Sequence, residues 1–239
     1  MHELSVICES AGVIAILKPA GIATQSPPGI PSVEAWLRER LHGGDPAGYV
    51  GVPHRLDRAV SGVVLMAATP RAARKLSRQF ERRQVAKTYL AVVRRPETVP
   101  LIGDEPAEWR DFLEKLPDEA RSRLAQPASP GAREAVTFAQ QLPVGVDAPA
   151  DALLLRLEPR TGRMHQLRIQ SASRGMPIVG DEIYGSPPLE GEDSRMRPIM
   201  LHAWRIAYTD PDSGEPVAIE APLPHHWPAW ATPRSCTPA

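Results

Sequence analysis

The sequence predicts an α+β fold built on a mainly antiparallel sheet. Strand-length apolar runs outnumber helical patterns, and the connections between runs are of the hairpin type. Apolar residues are 42% of 239, enough to bury the core of one large domain or of two lobes.

Val13 to Leu17 is an apolar run closed by Lys18-Pro19-Ala20-Gly21, a strand running into a turn. Ser32 is placed to cap a helix whose apolar face is Val33, Trp36, Leu37 and Leu41. Gly62 to Ala67, β-branched and apolar, reads as a buried strand. Thr69 then supplies an N-cap and Pro70 the first helical position. Along that helix Ala72, Ala73, Leu76 and Phe80 recur on one side, with Arg71, Arg74, Lys75, Arg78 and Arg82 on the other. Tyr89 to Val93 is a further strand. Residues 96–133 are acidic and proline-bearing; they read as an insert, with a helical pattern around Trp109 to Leu116. Ala135 to Gln141 and Ala152 to Leu157 form a strand pair. Gly162-Arg163 opens a helix that ends at Gly175, with Pro177 beyond it. Ile206 to Thr209 and Pro216 to Glu220 form a hairpin around Asp212-Ser213-Gly214. A folded region, 1–224, is expected to precede a poorly ordered proline-rich tail, 225–239.

Lys and Arg total 28, as do Asp and Glu, so no global basicity points to a polyanionic partner. The balance is local. From His54 to Arg95 eleven Lys or Arg face two acids, and from Pro96 to Glu158 twelve acids face six bases. Cys8 and Cys236 make neither a disulfide framework nor a zinc spacing. No apolar run approaches the ~20 residues of a membrane span, and Glu3 interrupts any basic signal start, so a cytoplasmic protein is expected, and it is read as a monomer.

The most informative stretch is Pro53 to Ala67. Asp57 stands between Arg55 and Arg58, and the cluster runs into Ser61-Gly62 and an apolar strand. Flanking cations favour an ionised carboxylate, which serves as a nucleophile or base. The same arginines suit phosphate. Together they suggest chemistry performed on a nucleic acid. An ordinary salt bridge at Asp57 is the competing reading. Ser61 sits in no nucleophile elbow, His225-His226 have no companion ligands, and no Gly-rich phosphate loop occurs. Metals and nucleotide cofactors are therefore not expected.

His54-Arg55-Leu56-Asp57 with Ser61-Gly62 resembles the signature of the RNA pseudouridine synthases of the RluA family. So, in order, do Lys18-Pro19-Ala20-Gly21, Lys87-Thr88-Tyr89-Leu90-Ala91, Thr161-Gly162-Arg163-Met164-His165-Gln166-Leu167-Arg168, Gly180-Asp181-Glu182-Ile183-Tyr184-Gly185 and Leu201-His202-Ala203-Trp204. The resemblance covers about residues 5–224. It implies a bent mixed sheet around a central cleft, with Asp57 at its floor. It also implies an enzyme that turns uridine into pseudouridine in rRNA or tRNA without a cofactor. The Lys-Pro-Ala-Gly motif begins at residue 18, so the N-terminal RNA-binding module of many members is not expected.

The resemblance implies Asp57 as the catalytic carboxylate, Arg168 as its ion-pair partner, Tyr89 as a stacking platform and Arg55 as the residue that holds the target nucleotide out of its stack. Arg58, Lys18, Arg163, His165, Lys87, Arg74 and Arg78 are the further expected RNA contacts. Bland alternatives stand beside these: a buried structural tyrosine at Tyr89, a turn lysine at Lys18, a surface arginine at Arg168, and a solvated helix face for the basic stripe. Val60 and Met164 replace threonines usual in the family. A non-catalytic RNA-binding protein on the same scaffold is the alternative function.

Overall fold

Ala11 and Gly12 carry positive φ angles of 51° and 74°. Such a pair closes a two-residue hairpin whose twist matches that of its strands. The turn joins β1 (Ser5–Ser10) to β2 (Val13–Lys18) in the computed structural model, which describes residues 4–27, 29–99, 103, 105–189 and 198–233. The described residues form a mixed-sheet α+β fold in two compact units. The first spans Met1–Lys87, Glu192–Pro198 and His202–Pro222, and the second Thr88–Gly191, Ile199–Leu201 and Leu223–Ala239.

In the first unit β2 pairs antiparallel with β3 (Ser61–Ala67), and β3 pairs parallel with β9 (Leu201–Thr209) through Ser61↔His202 and Gly62↔Ala203. β10 (Pro216–Glu220) returns antiparallel on β9. Asp210 turns that hairpin by accepting the amides of Asp212 and Ser213, which draw its carboxyl below the usual range. The helix α1 (Val33–His42) starts where Ser32 accepts the Ala35 amide and stops at Gly43, φ 59°. The helix α2 (Pro70–Glu81) is capped by Thr69, as its sequence predicts.

β3 is buried on both faces. Val63, Leu65 and Ala67 share one cluster with Val13 and Ala15 of β2 and with Ala72, Ala73 and Leu76 of α2. Phe80 of α2 stacks on His54, ring centroids 4.4 Å apart, and the Leu65 amide donates to His54 Nε2 at 2.9 Å. An imidazole that accepts a backbone proton is neutral. Burial first, and then the charge of Lys87, lower its pKa to about 3.

The second unit holds β4 (Ala86–Arg94), β5 (Ala107–Lys115), β6 (Ser122–Leu124), β7 (Arg133–Leu142) and β8 (Ala152–Pro159), in the spatial order β4-β8-β7-β5-β6, all antiparallel. β4 crosses the boundary by its first two residues. The helix expected around Trp109 to Leu116 is instead the strand β5. Trp109 and Leu113 are both buried and four apart, which suits a helix, but they also lie on one face of a strand. The residue between them on that face is Asp111, whose carboxylate accepts Gln170 and Arg174. A charge pointing inward hides the period of two.

The helix expected from Gly162 to Gly175 is shorter: α3 spans Gln166–Ser173. Residues 162–165 form the turn before it, and His165 at φ 55° is left-handed. The proline-rich segment after Pro224 is structured as far as Pro233. Trp227 and Ala231 are buried, the indole N–H donates to the Ala231 carbonyl, and Gly145 N–H donates to Trp230 O. Residues 234–239 lie outside the described ones.

Two outcomes follow. A Cβ on Gly62, φ 121°, would lie 2.3 Å from Ala203 O and 2.6 Å from Ala203 N, both main-chain atoms of the paired strand. Gly62→Ala is expected to lower stability by about 3 kcal/mol or more, from overpacking and left-handed strain together. A denaturation midpoint equal to wild type would contradict it. His54 binds its proton near 6.5 when unfolded and near 3 when folded. The unfolded chain therefore holds more protons between these values, and stability falls as pH drops through that window. An NMR titration of His54 with an ordinary midpoint would contradict this.

Candidate active site

The segment from His54 to Val60 has no regular structure apart from one turn, yet it is fastened at almost every residue. His54 is held by Leu65 as described. Thr24 Oγ1, buried, donates to the Leu56 carbonyl and accepts the Leu56 amide, each at 3.1 Å. Val60 N–H donates to Asp57 O at 3.1 Å and closes the turn that carries Asp57. Gly21 N–H donates to Arg58 O at 2.8 Å, and Arg58 Nε donates back to Gly21 O at 2.7 Å. Asp57 is half-buried, and Arg55 and Arg58 are exposed. Val60 is buried, so the methyl-for-hydroxyl change from the family pattern lies away from solvent.

Lys18 lies beneath this loop with no exposed surface. Its Nζ donates to the carbonyls of Pro19 at 2.9 Å, Ile22 at 2.8 Å and Arg58 at 3.2 Å. Burial lowers its pKa, the Asp57 carboxylate raises it and Arg58 lowers it again, to about 7. The expectation that Lys18 touches phosphate does not fit this burial; the side chain ties the Lys-Pro-Ala-Gly turn to the Asp57 loop. Lys87 is half-buried, and burial lowers its pKa as well. Ser61 and His202 form a buried pair, Oγ to Nδ1 2.8 Å, closed to any substrate.

In the second unit Tyr89 is half-buried on β4, opposite Leu157, while its neighbours Leu90 and Ala91 are sealed in the core. Arg168, on α3, is buried. Its Nε and Nη2 meet the two carboxylate oxygens of Asp181 at 2.7 Å each, and its guanidinium lies 5.3 Å from the Tyr184 ring centroid. The Tyr184 hydroxyl accepts the Ser122 amide at 3.0 Å, donates to the Ser122 carbonyl at 3.2 Å, and lies 3.1 Å from His165 Nδ1. His165 ends the turn before α3 and does not share a helical face with Arg168.

The turn itself is sewn to β7. Thr161 Oγ1 donates to Gln166 Oε1 at 2.7 Å and accepts the Val136 amide at 2.9 Å. Gln166 Nε2 reaches Val136 O and Thr137 Oγ1, and Arg163 Nε donates to Glu134 O at 2.9 Å. The sequence motifs contain Asp181, Tyr184, Thr161 and Gln166, but their type alone did not reveal these roles. The available signal was the Gly-Asp and Tyr-Gly that bracket two residues of one motif; in the structure that motif braces an arginine. No group of three or more His, Cys, Asp or Glu among the described residues is placed to hold a metal ion.

In the first unit a half-buried carboxylate is held in a fastened loop near a buried lysine, and in the second an arginine is fixed bidentately by a carboxylate. Comparison with known proteins identifies the family. Residues 12–173 match the family model described as RNA pseudouridylate synthase. The chain is 37% identical over 185 residues to tRNA pseudouridine synthase C of Salmonella typhimurium, covering 75% of this chain and 70% of that one. It is 32% identical to tRNA pseudouridine synthase C of Haemophilus ducreyi, covering 94% and 93%. It is 34% identical to ribosomal large subunit pseudouridine synthase D of Xanthomonas campestris, covering 92% and 66%. The solved structure of human RNA pseudouridylate synthase domain containing 1 superposes with a TM-score of 0.69 at 26% identity, over 93% of this chain and 84% of that one. The chain belongs to the RNA pseudouridylate synthase family, whose members are isomerases that convert uridine to pseudouridine in RNA.

Proposed function

We propose that this chain isomerises a uridine of tRNA, using Asp57 as its catalytic carboxylate. The observation that carries the reading is the fastening of the Asp57 loop: backbone and side-chain bonds on both sides of one half-buried acid, with Lys18 beneath it. Support for tRNA comes from the Haemophilus relative, a tRNA enzyme in which both chains are covered to more than nine-tenths. No co-reactant is needed, because uridine and pseudouridine have the same atoms. The C1′–N1 bond breaks, the base turns and C1′ joins C5; the C5 hydrogen leaves as a proton and N1 takes one up, so the atoms balance. A carboxylate promotes this by adding to the sugar or base, or by taking a proton.

Arg168 is the expected ion-pair partner of Asp57, and the bidentate grip of Asp181 supports a fixed orientation for it. Tyr89 presents a half-buried ring for the uracil. Arg55 and Arg58, exposed beside Asp57, suit the flipped nucleotide and its phosphates. Arg163, His165 and Lys87 are the remaining proposed contacts, and Lys18 is reassigned to positioning. We read residues 1–224 as the catalytic region of a monomer working in the cytoplasm. No helix among the described residues is long and apolar enough to cross a membrane.

Asp57→Asn keeps the side-chain shape and removes the charge. Tritium release from tRNA labelled at uridine C5 is expected to fall on the order of 10⁴-fold or more, with RNA binding retained. Near wild-type release would remove Asp57 from its role, and no release from the wild type would favour a binding protein. Tyr89→Phe keeps the stacking surface, worth roughly 1–3 kcal/mol per base. Its KM is expected to hold while kcat falls about 10²-fold, as for loss of a proton-transfer group. A normal kcat would leave Tyr89 with stacking alone.

A further inference from the structure

The basic side of α2 is two ridges, and only one faces outward. Residues four apart stack along a helix. The ridge Arg71, Lys75, Gln79 lies against the β9–β10 hairpin. Arg71 Nη2 meets Asp212 at 3.2 Å, Lys75 Nζ bonds the Pro211 carbonyl and lies 3.9 Å from Asp212, and Gln79 exchanges bonds with the Thr209 backbone in both directions at 2.8 Å. The next ridge, Arg74, Arg78, Arg82, is exposed along its length. Among the described residues none of these three forms an ion pair, and Glu81, the one acid of the helix, also pairs with none. The helix C-terminus favours cations at its last turn and so accounts for Arg78 and Arg82. It does not account for Arg74, one turn earlier.

We infer that Arg74, Arg78 and Arg82 form a track for successive phosphates of one RNA strand, and that Arg71 and Lys75 belong to the fold and not to the RNA. Four residues of helix rise about 6 Å. The three guanidinium groups are thus spaced on the scale that separates neighbouring phosphates along a strand. Like charges in a row repel one another, and a polyanion relieves that repulsion while releasing its own counterions. The sequence suggests a uniform face of five cations; the hairpin turn divides it. The inference rests on the reading that this chain acts on RNA.

The test compares the full chain carrying Arg74→Gln, Arg78→Gln and Arg82→Gln with one carrying Arg71→Gln and Lys75→Gln. Binding of a bulk tRNA fraction is measured against salt. With about 0.7 counterions released per single-strand phosphate contact, the triple variant is expected to show a log K slope shallower by about 2. The double variant is expected to keep the wild-type slope and turnover and to melt at a lower temperature. Lysines at the three ridge positions are expected to restore the slope. An unchanged slope in the triple variant, or an equal loss in the double variant, overturns the inference. Wild-type tritium release in the same preparations reports separately on the enzymatic reading. Normal release with an unchanged slope in the triple variant sinks the track alone. No release with a fallen slope sinks the isomerase alone.

Discussion

The buried ammonium of Lys18 is the constraint on which the first unit's site depends. Taking an ammonium out of water costs several kcal/mol unless its protons are all engaged. Here three carbonyls surround it, two from its own turn and one from Arg58, forty residues along the chain. That geometry exists only when the Lys-Pro-Ala-Gly turn and the Asp57 loop lie together. Gly21 and Thr24 repeat the connection on either side. A loop without helix or strand thereby gains the fixity of one, and a carboxylate held this way needs little reorganisation when a substrate arrives.

The second unit solves a similar problem, another buried cation, with a carboxylate in place of carbonyls. Arg168 is buried, and Asp181 satisfies it from a segment that follows α3. Tyr184 covers the guanidinium and is itself tied to Ser122 and His165. Gln170 joins Thr137, Asp111 and the Trp109 carbonyl. Such networks are costly when half-made and rigid when complete. Short polar residues in the motifs thus brace a few charged ones.

Elements fixed by local chemistry were legible in the sequence. Ser32 and Thr69-Pro70 announce their helices because a cap is a short-range hydrogen bond, and Asp212-Ser213-Gly214 announces a turn for the same reason. The Asp57 cluster stood out because its residue types suit one chemistry. What was illegible depends on distant partners. Asp111 made β5 look helical because its partners are Gln170 and Arg174. Lys18 read as an RNA contact or a turn lysine because its third carbonyl belongs to Arg58. Asp181 and Tyr184 stood only as members of a motif, with no role of their own, because Arg168 lies in another element. Gly62 was read as part of a strand, but the reason for glycine there is the backbone of Ala203 alongside.

The claim that a buried ammonium holds the Asp57 loop is tested most directly by hydrogen exchange on Lys18→Met. Methionine is of similar length and donates nothing, so the carbonyls of Ile22 and Arg58 lose that partner. The account predicts faster exchange at the Gly21, Leu56 and Val60 amides, with α1 amides unchanged, and a lower melting temperature. Wild-type protection at those three amides would show that the loop is held without the ammonium, and would contradict the account.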